Sequence, residues 1–252
     1  MKIRVVTPIV TKDFVTPEAA EEYAAAVGLE HEVSVVAIDR GPASIESEYD
    51  EALAAPDVIA KICEAEKDGV DAVVINCFGD PGMKPGREAV AIPVVGSGEA
   101  SMHLAAGLGH KFSVVTVLEN VLPMLYNECK LYGLEGKTAS VRSVDIPVLD
   151  LHVLDQEKLA EALVSESIKA IEEDGAHVIV LGCTGMTGLS EAVREGLAKQ
   201  GYDIPVVDPL IVALKTARIL VEMDLTHSKR TFPYPPEKEI VGYDIPRPLP
   251  VG

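Results

Sequence analysis

Cys77 and Cys183 occupy the same place in two near-copies of one segment. Residues 66–79 read EKDGVDAVVINCFG and residues 172–185 read EEDGAHVIVLGCTG. In both, Asp-Gly is followed by an apolar run and, nine residues after the Asp, by a cysteine two positions ahead of a glycine. A duplicated fold brings such thiols to face one another across a cleft. One thiolate then removes a proton from a carbon while the opposite thiol gives one to the other face, inverting that centre without metal or cofactor. An ordinary thiol, with a pKa of about 8.5, needs help from free backbone amides to ionise. Phe78-Gly79-Asp80-Pro81-Gly82 and Thr184-Gly185-Met186-Thr187-Gly188 are glycine-rich turns leading into helices. Their N–H groups can point at a thiolate, a substrate carboxylate or the enolate oxygen that develops as the proton leaves.

The elements that must position these thiols follow from the hydrophobic pattern. Val- and Ile-rich runs near residues 2–7, 32–38, 71–76, 92–95, 111–117, 139–144, 177–181 and 204–207 alternate with helical stretches. That alternation predicts parallel sheets covered by helices. Thr16-Pro17 and Asp208-Pro209 read as helix starts, and Gly28, Gly69, Gly133 and Gly175 as helix stops. The repeat extends beyond the cysteines. Lys2–Thr7 matches Lys111–Thr116, and Ile92–Val95 matches Ile204–Val207, in the same order and with nearly constant spacing.

Two homologous four-stranded units are therefore expected. The first spans residues 1–98 and takes back 208–252 as a returning helix, Asp208 to Met223, and a tail. The second spans 99–207. Cys77 and Cys183 each end a third strand, Thr7 and Thr116 each end a first strand, and ligands of open parallel sheets bind beyond such carboxyl ends. These positions should rim one interdomain cleft. A helix from Ala100 to Leu108 follows the boundary, and the tail from Ser228, with Pro233, Pro235, Pro236, Pro246, Pro248 and Pro250, is too proline-rich for regular structure.

Composition narrows the function. Aromatics are 4% of the 252 residues and tryptophan is absent, which argues against base- or sugar-stacking surfaces. A formal charge of −18 repels phosphate backbones and anionic lipid, so neither nucleic acid nor membrane is an expected partner. No leader or membrane-length apolar run is evident, and four cysteines suit a reducing, cytoplasmic setting. Cys63 and Cys129 lie in helical stretches without a glycine turn or a counterpart in the other repeat, and read as core residues. His31, His103, His110, His152, His177 and His227 show no ligand spacing with either paired cysteine, so no metal is expected. Thr184 either orients a substrate carbonyl or caps its own turn.

Asn76–Gly82, Gly41–Tyr49, Pro93–Ala100 and Leu181–Met186 resemble the hydantoin racemase branch of the aspartate/glutamate racemase superfamily, in family order, from the first strand to about residue 225. The resemblance implies two pseudo-symmetric flavodoxin-like α/β domains, each with a four-stranded parallel sheet and with the active site in the cleft between them. It implies a cofactor-independent racemase with Cys77 and Cys183 as the acid/base pair. Its substrate contacts would come from Pro8, Ile9, Phe78, Gly79, Thr116, Thr184 and Gly185.

Amino-acid racemases of the superfamily carry Cys-Asn-Thr where this chain has Cys77-Phe78-Gly79, which points to a cyclic ureide such as a 5-substituted hydantoin or allantoin. The family's first strand usually ends in Asn-Pro-Asn, whereas here it reads Thr7-Pro8-Ile9, and Ile9 has no polar side chain to offer. Amino-acid racemisation, maleate isomerisation and binding without chemistry are the competing functions. A disulfide between Cys77 and Cys183 would make the protein a redox carrier instead. A small-molecule substrate and a homo-oligomer complete the expectation.

Overall fold

The structure is a computed structural model and describes residues 1–151, 153–243 and 245. Eight strands and eight α-helices alternate along the described chain. In the first half these are β1 (Lys2–Thr7), α1 (Pro17–Val27), β2 (Glu32–Ala37), α2 (Glu48–Lys67), β3 (Ala72–Ile75), α3 (Met83–Ala89), β4 (Val94–Gly96) and α4 (Ser97–Leu108). The second half repeats the series with β5 (Phe112–Thr116), α5 (Leu122–Leu131), β6 (Thr138–Ser143), α6 (Gln156–Glu172), β7 (Val178–Leu181), α7 (Ser190–Lys199), β8 (Val206–Val207) and α8 (Pro209–Glu222).

The strands form two four-stranded parallel sheets, ordered β2-β1-β3-β4 and β6-β5-β7-β8. The order is the same in both once the second is counted from its own first strand. The register is preserved as well: Ile3 faces Ala72 and Val6 faces Ile75, while Phe112 faces Val178 and Val115 faces Leu181. All four residues of β3 and all four of β7 are buried, as expected of central parallel strands covered on both faces.

Two compact units result. One contains Met1–Ile45, Tyr49–Gly96 and the chain from Ala213 onward, and the other contains Glu46–Glu48 and Ser97–Val212. Glu46–Glu48 thus group with the second unit although the chain on either side of them groups with the first.

Local chemistry explains the helix ends. Thr16 accepts the Ala19 N–H at 3.2 Å with Pro17 in the first turn of α1. Asp208 accepts the Leu210 and Ile211 N–H groups at 3.1 and 3.2 Å and starts α8. Gly28, Gly69, Gly133 and Gly175 all have positive φ where their helices stop. The Ala100–Leu108 helix begins earlier than its composition suggested, because β4 runs directly into α4 at Ser97.

After α8 the described tail has no regular secondary structure and lies along the outer strand β4 of the first unit. The Val94 N–H donates to His227 Nε2 at 3.0 Å, and Thr226 donates to the Ala91 carbonyl. Lys229 donates to the Arg87 and Val90 carbonyls, and Phe232 stacks on the Arg87 guanidinium. A sheet edge that would otherwise offer unpaired backbone groups is covered by the chain itself. Of the tail prolines, Pro246, Pro248 and Pro250 lie outside the described residues, as does His152.

Candidate active site

In the first unit, the ladder between β1 and β3 extends one residue past β3, where the Asn76 N–H donates to the Val6 carbonyl at 2.9 Å. Asn76 Nδ2 then donates to Thr7 Oγ1 at 3.1 Å, tying the ends of the two strands together. Cys77 follows, half-buried, with its carbonyl accepting the Asp80 N–H at 3.3 Å, so that Phe78 and Gly79 form the crest of a turn. Phe78 is buried, as are Pro8 and Ile9 beyond β1. Asp80 takes a left-handed backbone, φ 50°, and its buried carboxyl group fills the space beside Gly96. A side chain at Gly96 would have to displace the Asp80 carboxyl group and the Met83 sulfur.

The second unit repeats the construction with different side chains. The Gly182 N–H donates to the Val115 carbonyl at 2.7 Å, the counterpart of the Asn76 bond. Thr116, buried like Thr7, donates its hydroxyl to the Gly182 carbonyl at 2.9 Å. Cys183 follows, and its carbonyl accepts the Met186 N–H at 3.1 Å, closing a single 3₁₀ turn over Thr184–Met186. Cys183 caps that turn with its own sulfur, which accepts the Gly185 N–H at 3.4 Å. The Thr184 carbonyl accepts the Thr187 N–H at 3.1 Å. Asp208 anchors the far end of the turn: it accepts the Gly188 N–H at 2.9 Å and the Thr187 hydroxyl at 3.4 Å.

Within each unit, then, the expected site residues come together at the carboxyl end of the sheet. Pro8, Ile9, Cys77, Phe78 and Gly79 cluster in the first unit, and Thr116, Cys183, Thr184 and Gly185 in the second. Thr116 spends its hydroxyl on bracing Gly182.

The electrostatics of the second thiol are distinctive. Burial pushes the Cys183 thiol up to about 11, the Gly185 N–H pulls it back down, and the Glu46 carboxylate pushes it up. Cys183 therefore holds its proton at neutral pH. Cys63, inside α2, is also pushed up to about 11 by burial, in keeping with a core residue. All four cysteines are free thiols. Among the described residues no helix is long and apolar enough to cross a membrane.

Three residues around the thiols carry roles the sequence did not reveal. Asp80 and Asp208 brace the two turns. Their only local signals were a turn motif, Asp80-Pro81-Gly82, and a helix start, Asp208-Pro209. Glu46 lies within the Gly41–Tyr49 motif, but nothing in that stretch shows that it reaches the second unit.

The family model for the Asp/Glu/Hydantoin racemases matches residues 3–217 of the chain. A hydantoin racemase from Pseudomonas sp. (strain NS671) is 39% identical over 245 residues, covering 96% of this chain and 95% of that protein. Allantoin racemase from Pseudomonas fluorescens superposes with a TM-score of 0.87 at 36% identity, over 96% of this chain and all of that one. Allantoin racemase from Klebsiella pneumoniae gives the same TM-score at 33% identity, with 96% of both chains covered.

Proposed function

The chain belongs to the Asp/Glu/hydantoin racemase family and is a racemase of its hydantoin and allantoin branch; from that premise we propose that it inverts ring carbon C5 of a 5-substituted hydantoin, allantoin included, using Cys77 and Cys183 as opposed acid and base. The observation that carries this reading is the equivalence of the two thiols. Each stands two residues past a central strand of matching register, at the head of a turn closed by its own carbonyl.

In one direction the Cys77 thiolate removes the C5 proton, and the electron pair moves into the ring as the adjacent carbonyl becomes an enolate. The Cys183 thiol then donates its proton to the opposite face of C5. Its high pKa suits it to hold that proton until the carbanion forms. Once Cys183 has become a thiolate, the Gly185 N–H stabilises the charge, which makes the reverse reaction accessible. Each proton removed is balanced by one delivered, so no cofactor enters the step. Ile9, two residues past β1, and Phe78, next to Cys77, are buried and apolar, which fits a neutral ring better than a charged amino acid.

The test is isotope exchange with an enantiopure 5-substituted hydantoin in heavy water. The wild type is expected to incorporate deuterium at C5 as it racemises, and Cys77→Ser and Cys183→Ser each to abolish racemisation. Full turnover by either single variant sinks the two-base reading. Parallel assays on allantoin, aspartate, glutamate and maleate separate the substrate classes, with the two ureides expected to react and the open-chain acids not.

A further inference from the structure

Between β2 and α2 the chain makes an excursion with a specific chemical consequence. The Glu46 carboxylate accepts the Val148 N–H at 2.8 Å, while its own carbonyl accepts Asn120 Nδ2 at 2.7 Å. Val148 opens a one-turn 3₁₀ helix, Val148–Asp150, and Leu151, which ends it, is almost completely buried. Leu151 in turn packs on Gly185: a Cβ there would lie 2.8 Å from Leu151 Cδ1. Gly185 is the residue whose N–H faces the Cys183 sulfur. A continuous path of contacts thus leads from Glu46 through Val148 and Leu151 to the amide that stabilises the thiolate.

We propose that Glu46 is a positioning residue for Cys183, holding the Val148–Leu151 turn against Gly185 and setting a negative charge beside the thiol. The charge raises the proton affinity of Cys183, so Glu46 helps keep it in the acid form that the two-base reading requires, and the inference rests on that reading. Asp208 sits at the Thr187–Gly188 end of the Cys183 turn and is engaged there by hydrogen bonds, while Asp150, in the Val148–Asp150 turn, is exposed.

The experiment is alkylation of Cys183 at pH 8, followed peptide by peptide with neutral iodoacetamide and anionic iodoacetate. Glu46→Gln removes the charge and keeps an acceptor for Val148. It is expected to speed iodoacetamide labelling of Cys183 about threefold, since a lower pKa exposes more thiolate, and iodoacetate labelling by a larger factor. The alkaline limb of the kcat/KM profile for racemisation should move to lower pH. Glu46→Ala, which also frees the Val148 N–H, is expected to label faster still. Unchanged labelling in Glu46→Gln, or the same factor for both reagents, overturns the proposal, and that variant suffices if Glu46→Ala does not fold. Racemisation by Cys183→Ser is read separately, so a failure of the two-base reading is distinguishable from a failure of this one.

Discussion

At the scale of single residues, the two thiol turns solve one problem with different side chains. Position 76 in the first unit is an asparagine whose amide reaches Thr7; its counterpart Gly182 has no side chain, so Thr116 bonds to its carbonyl instead. The glycine is enforced by space, because a Cβ there would lie 2.7 Å from Thr116 Cβ and 3.0 Å from Thr116 Cα. Backbone on one side cannot yield as a flexible side chain would. Gly182→Ala is therefore expected to cost about 1–3 kcal/mol in urea unfolding, the usual penalty of overpacking. On the proposed two-base reading it should also lower kcat by about tenfold or more, since displacing the next residue moves the Cys183 sulfur. Gly107→Ala is the matched control. It lies in α4 with open space around it, and should leave kcat alone while stabilising the helix by about 0.5–1 kcal/mol. If both variants behave alike, the crowding at Gly182 is not what holds Cys183.

At the scale of elements, α3 links the Cys77 turn to the tail. The helix ends at Ala89, and the Lys229 ammonium, donating to the Arg87 and Val90 carbonyls, supplies partners that its last turn cannot find internally. Burial lowers the Lys229 pKa, yet the amine is held by carbonyls and by the face of Tyr234, 4.0 Å from the ring centre. Lys229→Ala is expected to cost about 1–2 kcal/mol and lower Tm by roughly 2–4 °C. Hydrogen exchange should quicken in the Met83–Ala89 peptide while α7 keeps its protection; equal effects in both helices would contradict a local clamp. The strands that carry the thiols were legible in the sequence because each is a short aliphatic run between glycine or proline signals, and the Asp-Gly echo marked the two cysteines as equivalent. The clamp was not legible, because it joins Lys229 to a helix about 140 residues earlier through backbone carbonyls that have no residue signature. The same limit hid Glu46, whose partner Val148 lies 102 residues away.

At the scale of the whole molecule, the thiols couple stability to pH. Cys63 in the first unit, and Cys183 in the second, are pushed up to about 11, and Cys129 in the second is raised as well, in each case chiefly by burial. An unfolded thiol releases its proton near pH 8.5. Between that pH and about 11 the unfolded chain has lost protons that the folded chain still holds, so unfolding releases protons and stability falls as pH rises. Below pH 8.5 both states are protonated, and this contribution is fully present and constant. For the almost completely buried Cys63 the span corresponds to about 3 kcal/mol at most. A formal charge of −18 adds self-repulsion that also grows as lysines and tyrosines titrate, so the alkaline slope of the wild type alone does not identify the thiols. Cys63→Ala separates the two effects, because it deletes one titrating thiol and leaves the formal charge at neutral pH unchanged. Its unfolding free energy, measured in urea at pH 7.5, 9 and 10.5, should start lower than the wild type's because of the cavity left in α2, then fall less steeply with pH. Parallel slopes for the two proteins would mean that the Cys63 thiol does not titrate with unfolding, and the alkaline loss would then belong to the surface charge.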